Sequence, residues 1–186
     1  MQPVLIMLAG PNGAGKSTYY LAYFSHLNLP FLNADNLANK TGLDAYTSAE
    51  QIAQIQEIMC AQKQSFITET VLSDPVGAKI NFLKQASTQG FQVRLIFIGI
   101  ADAVLSQERV ANRVKAGGHN VPSDKIQKRY PRTLDNLKLG IEQLPDVWIY
   151  DNSSYENPYH LLARYKDNKQ VYKSTNPIPD WAKLFM

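Results

Sequence analysis

A single cysteine, Cys60, stands in 186 residues, so no internal disulfide can brace the fold and a reducing, cytoplasmic setting is expected. Cys60 lies among Ile55, Ile58 and Met59 on a helix-patterned stretch, the setting of a core thiol rather than of a nucleophile. With only three histidines besides, no His/Cys cluster has metal-ligand spacing. Long apolar runs are missing too, which argues against a membrane span. The apolar start, Val4-Leu-Ile-Met-Leu8, has no basic residues before it and is too short for a secretory signal. Internal repeats and low-complexity tracts are absent. Charge of one sign is scarce: 19 Lys and Arg against 16 Asp and Glu leave a net +3. That surplus suits an anionic ligand, but it is spread along the chain, so a nucleic-acid partner is not expected.

What is present suffices for one domain over residues 1–186, with 45% apolar residues to build a core. Strand and helix patterns alternate, which predicts an α/β fold with a parallel sheet covered on both faces. Strands are expected at 4–8, 30–35, 65–69, 91–100 and 146–150, the fourth being the most apolar and hence central. Helices are expected at 18–27, 49–64, 76–89, 102–115 and 123–139, with Ser123 as an N-cap of the last. Ile52, Ile55, Ile58 and Met59 recur at helical spacing. Beyond Asp151 the texture changes. His160–Tyr165 and Gln170–Lys173 flank a turn at 166–169, and a Pro-rich stretch with a short Trp181 helix follows. Residues 154–186 read as a C-terminal hairpin appendage.

Gly10-Pro11-Asn12-Gly13-Ala14-Gly15-Lys16-Ser17 carries the most information. It fits the phosphate-loop pattern G-x-x-x-x-G-K-[ST], and it sits between a buried-type strand and a helix that opens at Thr18. A glycine turn in that position aims successive backbone N–H groups and a helix N-terminus at one point, which makes an anion cradle. Lys16 adds a cation for the β- and γ-phosphates, and Ser17 a hydroxyl for Mg²⁺. A nucleoside triphosphate is therefore the expected ligand.

In open parallel sheets ligands gather at the carboxyl ends of strands. The polar residues there are Asp35, Glu69, Asp102, Asp151 and Asn152. Asp35 is placed to accept a proton from a hydroxyl attacking the γ-phosphate; the plain alternative is a helix cap. Glu69 closes an apolar strand, where it can hold a magnesium-bound water or a substrate, or simply pair with a nearby cation. Asp102 precedes Ala-Val-Leu and reads as an N-cap. Between Arg109 and Arg132 two basic helices flank Gly117-Gly118-His119. That is the pattern of a hinged lid over about 113–132, whose arginines can neutralise charge on a transferring phosphoryl group. A solvated basic surface is the alternative. His119 reads as a lid residue.

Taken together these residues resemble the zeta-toxin family of small P-loop kinases. The resemblance rests on Ala9–Ser17, on Phe31-Leu-Asn-Ala-Asp35, on Phe66-Ile-Thr-Glu-Thr70 with Leu72-Ser73, on Arg109–Pro122 leading to Arg129-Tyr-Pro-Arg132, and on Asp151-Asn-Ser153. It implies a P-loop NTPase fold with a five-stranded sheet in the order 2-3-1-4-5. It also implies ATP-dependent phosphorylation of a small-molecule hydroxyl, that of UDP-N-acetylglucosamine in characterised zeta toxins, with ATP and Mg²⁺ as cofactors and an antitoxin protein as a partner. By the same resemblance Asp35 is the base, Glu69 and Thr70 hold substrate, and Arg113 and Arg129 grip the phosphates, with Arg109 and Arg132 as rivals. Two positions depart from the pattern. Val71 stands where those toxins have a substrate-binding threonine, and Ser73 where they have a basic residue. The chain is also short for the group. Retained chemistry on another small molecule, and nucleotide binding without transfer, are the alternatives.

Overall fold

The apolar run predicted from the sequence becomes β1 (Val4–Ala9), and it lies inside the sheet with a parallel neighbour on each side. Those neighbours are β3 (Phe66–Thr70) and β4 (Gln92–Gly99). β2 (Phe31–Leu32) pairs with β3, and β5 (Asp146–Asp151) with β4, both in parallel. The molecule is described by a computed structural model over residues 2–118 and 120–186. Its first five strands follow the expected order, and two more extend the sheet to β2-β3-β1-β4-β5-β6-β7.

The added strands are the tail hairpin, β6 (His160–Lys166) and β7 (Lys169–Lys173), both antiparallel. The turn between them is Asp167-Asn168, with φ +49° and +60°, the left-handed pair that a tight hairpin turn requires. The five-strand expectation is thus corrected to seven, and the hairpin is the sheet's edge rather than an appendage on it. Sequence pattern missed this because nothing local in β5 states that a later strand pairs with it.

Among the described residues six α-helices flank the sheet. They are α1 (Lys16–Tyr23), α2 (Ala34–Thr41), α3 (Ala45–Ala61), α4 (Ala78–Thr88), α5 (Ala103–Lys115) and α6 (Ser123–Gln143). On one face Leu5, Met7, Phe66, Leu95 and Phe97 pack with Met59, Ile80, Leu83 and Leu137 from α3, α4 and α6. On the other, Ile6, Leu8, Ile67, Ile96 and Ile98 pack with Tyr19 of α1. Among the described residues no helix is long and apolar enough to cross a membrane.

Several boundaries moved for identifiable reasons. β2 stops at Leu32 because the Asn33 side chain accepts the Asn36 N–H and opens α2. α3 begins earlier than expected because Asp44 caps it, accepting from Tyr46 and Thr47. Its buried face is Ile52, Gln56, Met59 and Cys60, whereas Ile55 and Ile58 face outward. Gln56 takes the inner position by donating to Thr68 Oγ1 at 2.7 Å, a bond that hydrophobic spacing cannot announce. Asp102 caps α5 as expected, accepting from Leu105. For α6 the N-cap is Pro122, without a side-chain cap, and not Ser123.

Candidate active site

The phosphate loop takes its shape from three glycines whose replacement would be strained. Gly10 (φ +142°), Gly13 (φ +73°) and Gly15 (φ +88°) occupy backbone conformations that L-residues rarely adopt. A Cβ on Gly10 would sit 2.0 Å from the Ile98 carbonyl oxygen of β4. The loop thus lies directly against the strand beside it. Two more elements hold it from outside. Ser106 of α5 donates to the Asn12 carbonyl at 2.6 Å. Beyond β5, Asn152 donates to the Ala14 carbonyl at 2.8 Å and the Tyr159 hydroxyl to the Gly15 carbonyl at 2.9 Å. Sequence reasoning named Asn152 only as a strand-end residue and missed Ser106 and Tyr159. No local signal marks either of them.

Lys16 is buried, and its Nζ donates to the carbonyls of Gly10 and Pro11 at 2.9 and 3.0 Å. Burial lowers its pKa, the charges of Glu69 and Asp35 pull it back up, and that of Arg113 lowers it further. Ser17 donates to Glu69 Oε2 at 2.8 Å, and Asn33 Nδ2 donates to the same oxygen at 2.8 Å. Glu69 Oε1 lies 3.9 Å from Lys16 Nζ. The ends of β1, β2 and β3 therefore converge on one carboxylate. The sequence offered a magnesium-water or substrate ligand and a salt bridge as alternatives for Glu69, and the geometry has a close hydrogen bond to Ser17 with a longer ion pair to Lys16. Thr18 follows in the first turn of α1 and is exposed.

Asp35 is in the first turn of α2 and is not its cap, which is Asn33. It lines a cavity of about 320 Å³ together with Asn12, Asn33, Glu69, Thr70 and Arg129. Asn12 is nine-tenths buried, yet its Oδ1 has no hydrogen-bond partner among the described residues. A buried amide oxygen left open at a cavity wall is a site that awaits a donor. The far wall is the loop after β3. Thr70 Oγ1 accepts the Leu72 N–H, and Leu72 is fully buried at φ +61°. α6 pins that loop: Thr133 donates to the Val71 carbonyl, and Asn136 donates to those of Leu72 and Asp74.

The predicted arginines separate. Arg129 of α6 lines the cavity that holds Asp35. Arg113, near the C-terminus of α5, lies where its charge reaches Lys16. Arg109 packs against the loop itself, since a Cβ on Gly13 would lie 3.0 Å from its own Cβ. It also donates to the Ser153 carbonyl and stacks 4.8 Å from the centre of the Tyr155 ring. Arg132 turns back to its own helix, with Nε donating to the Lys128 carbonyl. Between α5 and α6, Gly117 at φ +85° ends the first helix, and the Gly118 N–H returns to the Arg113 carbonyl. Val110 of α5, Val121 ahead of α6 and Ile126 of α6 form a small apolar cluster. His119 lies outside the described residues.

The family profile described as Zeta toxin matches residues 1–161. A curated protein of Haemophilus influenzae, described as uncharacterized, is 29% identical over 136 residues, which is 70% of this chain and 94% of that one. Among solved structures, the PezAT toxin-antitoxin system of Streptococcus pneumoniae matches with a TM-score of 0.58 at 16% identity, over 97% of this chain and 75% of that chain. The complex of AvrRxo1-ORF1 and ORF2 with ATP matches at 0.71 and 15% identity, over 99% of this chain and 62% of that one. Shikimate kinase from Bacteroides thetaiotaomicron matches at 0.53 and 16% identity, over 83% and 89%. At such identities these structures establish the P-loop kinase fold, and the profile match over most of the sequence establishes the rest: the chain belongs to the Zeta toxin family of P-loop kinases.

Proposed function

We propose that this kinase transfers the γ-phosphoryl group of ATP to a hydroxyl of a small molecule bound between Asp35, Glu69 and Arg129. The observation that carries the reading is the meeting of three strand ends at Glu69, with Ser17 and Lys16 on one side and the Asp35 cavity on the other. The residues fit a magnesium–nucleotide complex: the Ser17 hydroxyl and the Glu69 carboxylate are adjacent hard oxygen donors. The loop glycines hold positive-φ backbone conformations leading into the N-terminus of α1, the helix end that favours an anion. When bound, Mg²⁺ supplies charge neutralisation on the phosphates.

In this reading Asp35 takes the proton of the acceptor hydroxyl as its oxygen attacks the γ-phosphorus, and the bond to the bridging oxygen of ADP breaks. Lys16 exchanges its two carbonyl partners for phosphate oxygens. Its buried ammonium has every reason to do so, because an anion offsets the desolvation that now depresses its pKa. The backbone of Gly10–Thr18 wraps the phosphates. Glu69 and Thr70 hold the acceptor side, and Arg113, whose charge reaches Lys16, and Arg129 of the cavity wall stabilise the transition state. The α5–α6 junction acts as the lid. Family membership makes UDP-N-acetylglucosamine the first acceptor to try, and the toxin-antitoxin neighbour makes an antitoxin-type protein the first partner.

The test is to incubate the protein with ATP, Mg²⁺ and UDP-N-acetylglucosamine and read the product by mass spectrometry, with Asp35→Asn in parallel. A sugar nucleotide heavier by one phosphoryl group, formed by the wild type and lost in the variant, is the expected result. ATP bound without any transfer to that acceptor removes the sugar-nucleotide assignment and sends the search to other hydroxyl compounds.

A further inference from the structure

Three carbonyls of the phosphate loop are held from outside by donors from three separate parts of the chain. The Asn12 carbonyl accepts from the Ser106 hydroxyl of α5 at 2.6 Å, that of Ala14 from Asn152 Nδ2 at 2.8 Å, and that of Gly15 from the Tyr159 hydroxyl at 2.9 Å. The Gly15 carbonyl also accepts the Tyr19 N–H at 2.8 Å, so α1 fixes it as well. Those of Asn12 and Ala14 have no second partner among the described residues. Their directions rest on Ser106 and Asn152 alone.

A trans peptide points its C=O and the N–H of the next residue in opposite directions, and no cis peptide bond occurs among the described residues. Ser106, by drawing the Asn12 carbonyl toward α5, therefore turns the Gly13 N–H away from α5. Asn152 in the same way turns the Gly15 N–H away from the end of β5. Neither of these two N–H groups has a hydrogen-bond partner among the described residues. Both belong to the turn that leads into the N-terminus of α1, where an anion is favoured.

Asn152 is itself firmly set. It is more than nine-tenths buried, its backbone N–H donates to the Gly99 carbonyl at 2.9 Å, and its Oδ1 accepts the Tyr159 N–H at 3.3 Å. With the amide oxygen turned to Tyr159, the amide nitrogen is left for Ala14. Tyr159 makes this contact from a left-handed backbone, φ +54°, a conformation uncommon for a bulky residue. Strain of that kind persists only where the surroundings enforce it, and it gathers at functional sites.

We propose that Asn152 and Ser106 are positioning residues for the phosphates, Asn152 aiming the Gly15 N–H at the bound nucleotide and Ser106 the Gly13 N–H. This rests on the nucleotide site proposed above, and it adds that two side chains outside the loop orient its donors before the ligand arrives. Each acts through one peptide and touches no reacting atom.

The test is to record amide spectra of ¹⁵N-labelled wild type, Asn152→Ala and Ser106→Ala, with and without a non-hydrolysable ATP analogue and Mg²⁺. An amide proton engaged by a phosphate oxygen moves downfield. We expect both the Gly13 and Gly15 protons to move in the wild type. Asn152→Ala should lose most of the Gly15 displacement and keep that of Gly13, and Ser106→Ala should do the reverse. Analogue affinity should fall about two- to tenfold in each variant, the effect of one hydrogen bond. Ser106→Ala removes a single hydroxyl from a fully buried position, and its half of the pattern can be read even where Asn152→Ala does not fold. Joint loss of both displacements in a folded variant, as a general loosening of the site gives, overturns the proposal. So do displacements unchanged by either substitution, or none in the wild type. The spectra require no phosphoryl transfer, so a protein that turns over no acceptor would lose the kinase reading and leave this result standing.

Discussion

Gly15 shows how tightly one residue can couple a loop to distant parts of a chain. Its φ is +88°, and a Cβ there would lie 2.7 Å from Asn152 Nδ2 and 2.8 Å from the Tyr159 hydroxyl. Gly15→Ala therefore carries two penalties, a left-handed backbone of about 1–2 kcal/mol for an L-residue and a clash with both groups that clamp the loop. We expect the variant to lose most of its affinity for ATP while melting only modestly earlier, as measured by calorimetric titration and thermal unfolding. Unaltered ATP affinity would show that the clamp is incidental. Much of the site was legible at this scale. Lys16, Ser17, Glu69 and Asp35 were all named from the sequence, because the phosphate loop fixes where a strand must end and the neighbouring strand ends then follow. Tyr159 was not legible, because its bond to the Gly15 carbonyl spans 144 positions of chain and an isolated tyrosine carries no pattern.

Among the elements, the junction of β4, β5 and β6 is held by charge. Asp146 accepts from Arg94 Nε at 2.8 Å and from Arg164 Nε at 2.9 Å, and both guanidinium groups lie over the Trp148 ring, at 5.3 and 4.3 Å from its centre. Burial alone would raise the Asp146 pKa, but the two arginine hydrogen bonds outweigh it and hold the carboxyl below its ordinary range. A carboxyl depressed in the folded state contributes stability above its unfolded pKa, and that contribution fades as pH falls through the folded value. Asp146→Asn should thus lower the melting temperature at neutral pH and flatten its decline under acid, with the two proteins converging at the lowest pH. Parallel curves for the two would refute the assignment. Lengths of elements were harder to read than their existence. β2 shrank to two residues because a single asparagine cap outcompeted the strand, and α3 turned its face because one glutamine found a threonine.

At the scale of the whole molecule, the C-terminal segment belongs to the core. Gly99 at the end of β4 leaves room for the Trp181 ring, and a Cβ on Gly99 would stand 2.2 Å from it. The indole also donates to Asp151 Oδ1 at 2.8 Å, and Tyr165 donates to the Phe185 carbonyl. Trp181→Ala should destabilise the fold by about 3–5 kcal/mol in denaturant titrations, whereas a change under about 1 kcal/mol would mean that the tail merely rests on the sheet. The sequence marked Trp181 as apolar and short-helical, but only the small residue facing it, 82 positions earlier in the chain, explains why it is inside.

The same sheet brings the phosphate loop and the Asp35 cavity together, and the most direct test of that union is turnover of γ-labelled ATP by wild type and Asp35→Asn, with nucleotide affinity measured on the same samples. We predict turnover about 100-fold or more lower in the variant, with ATP bound equally well by both. Undiminished turnover in Asp35→Asn would contradict the account.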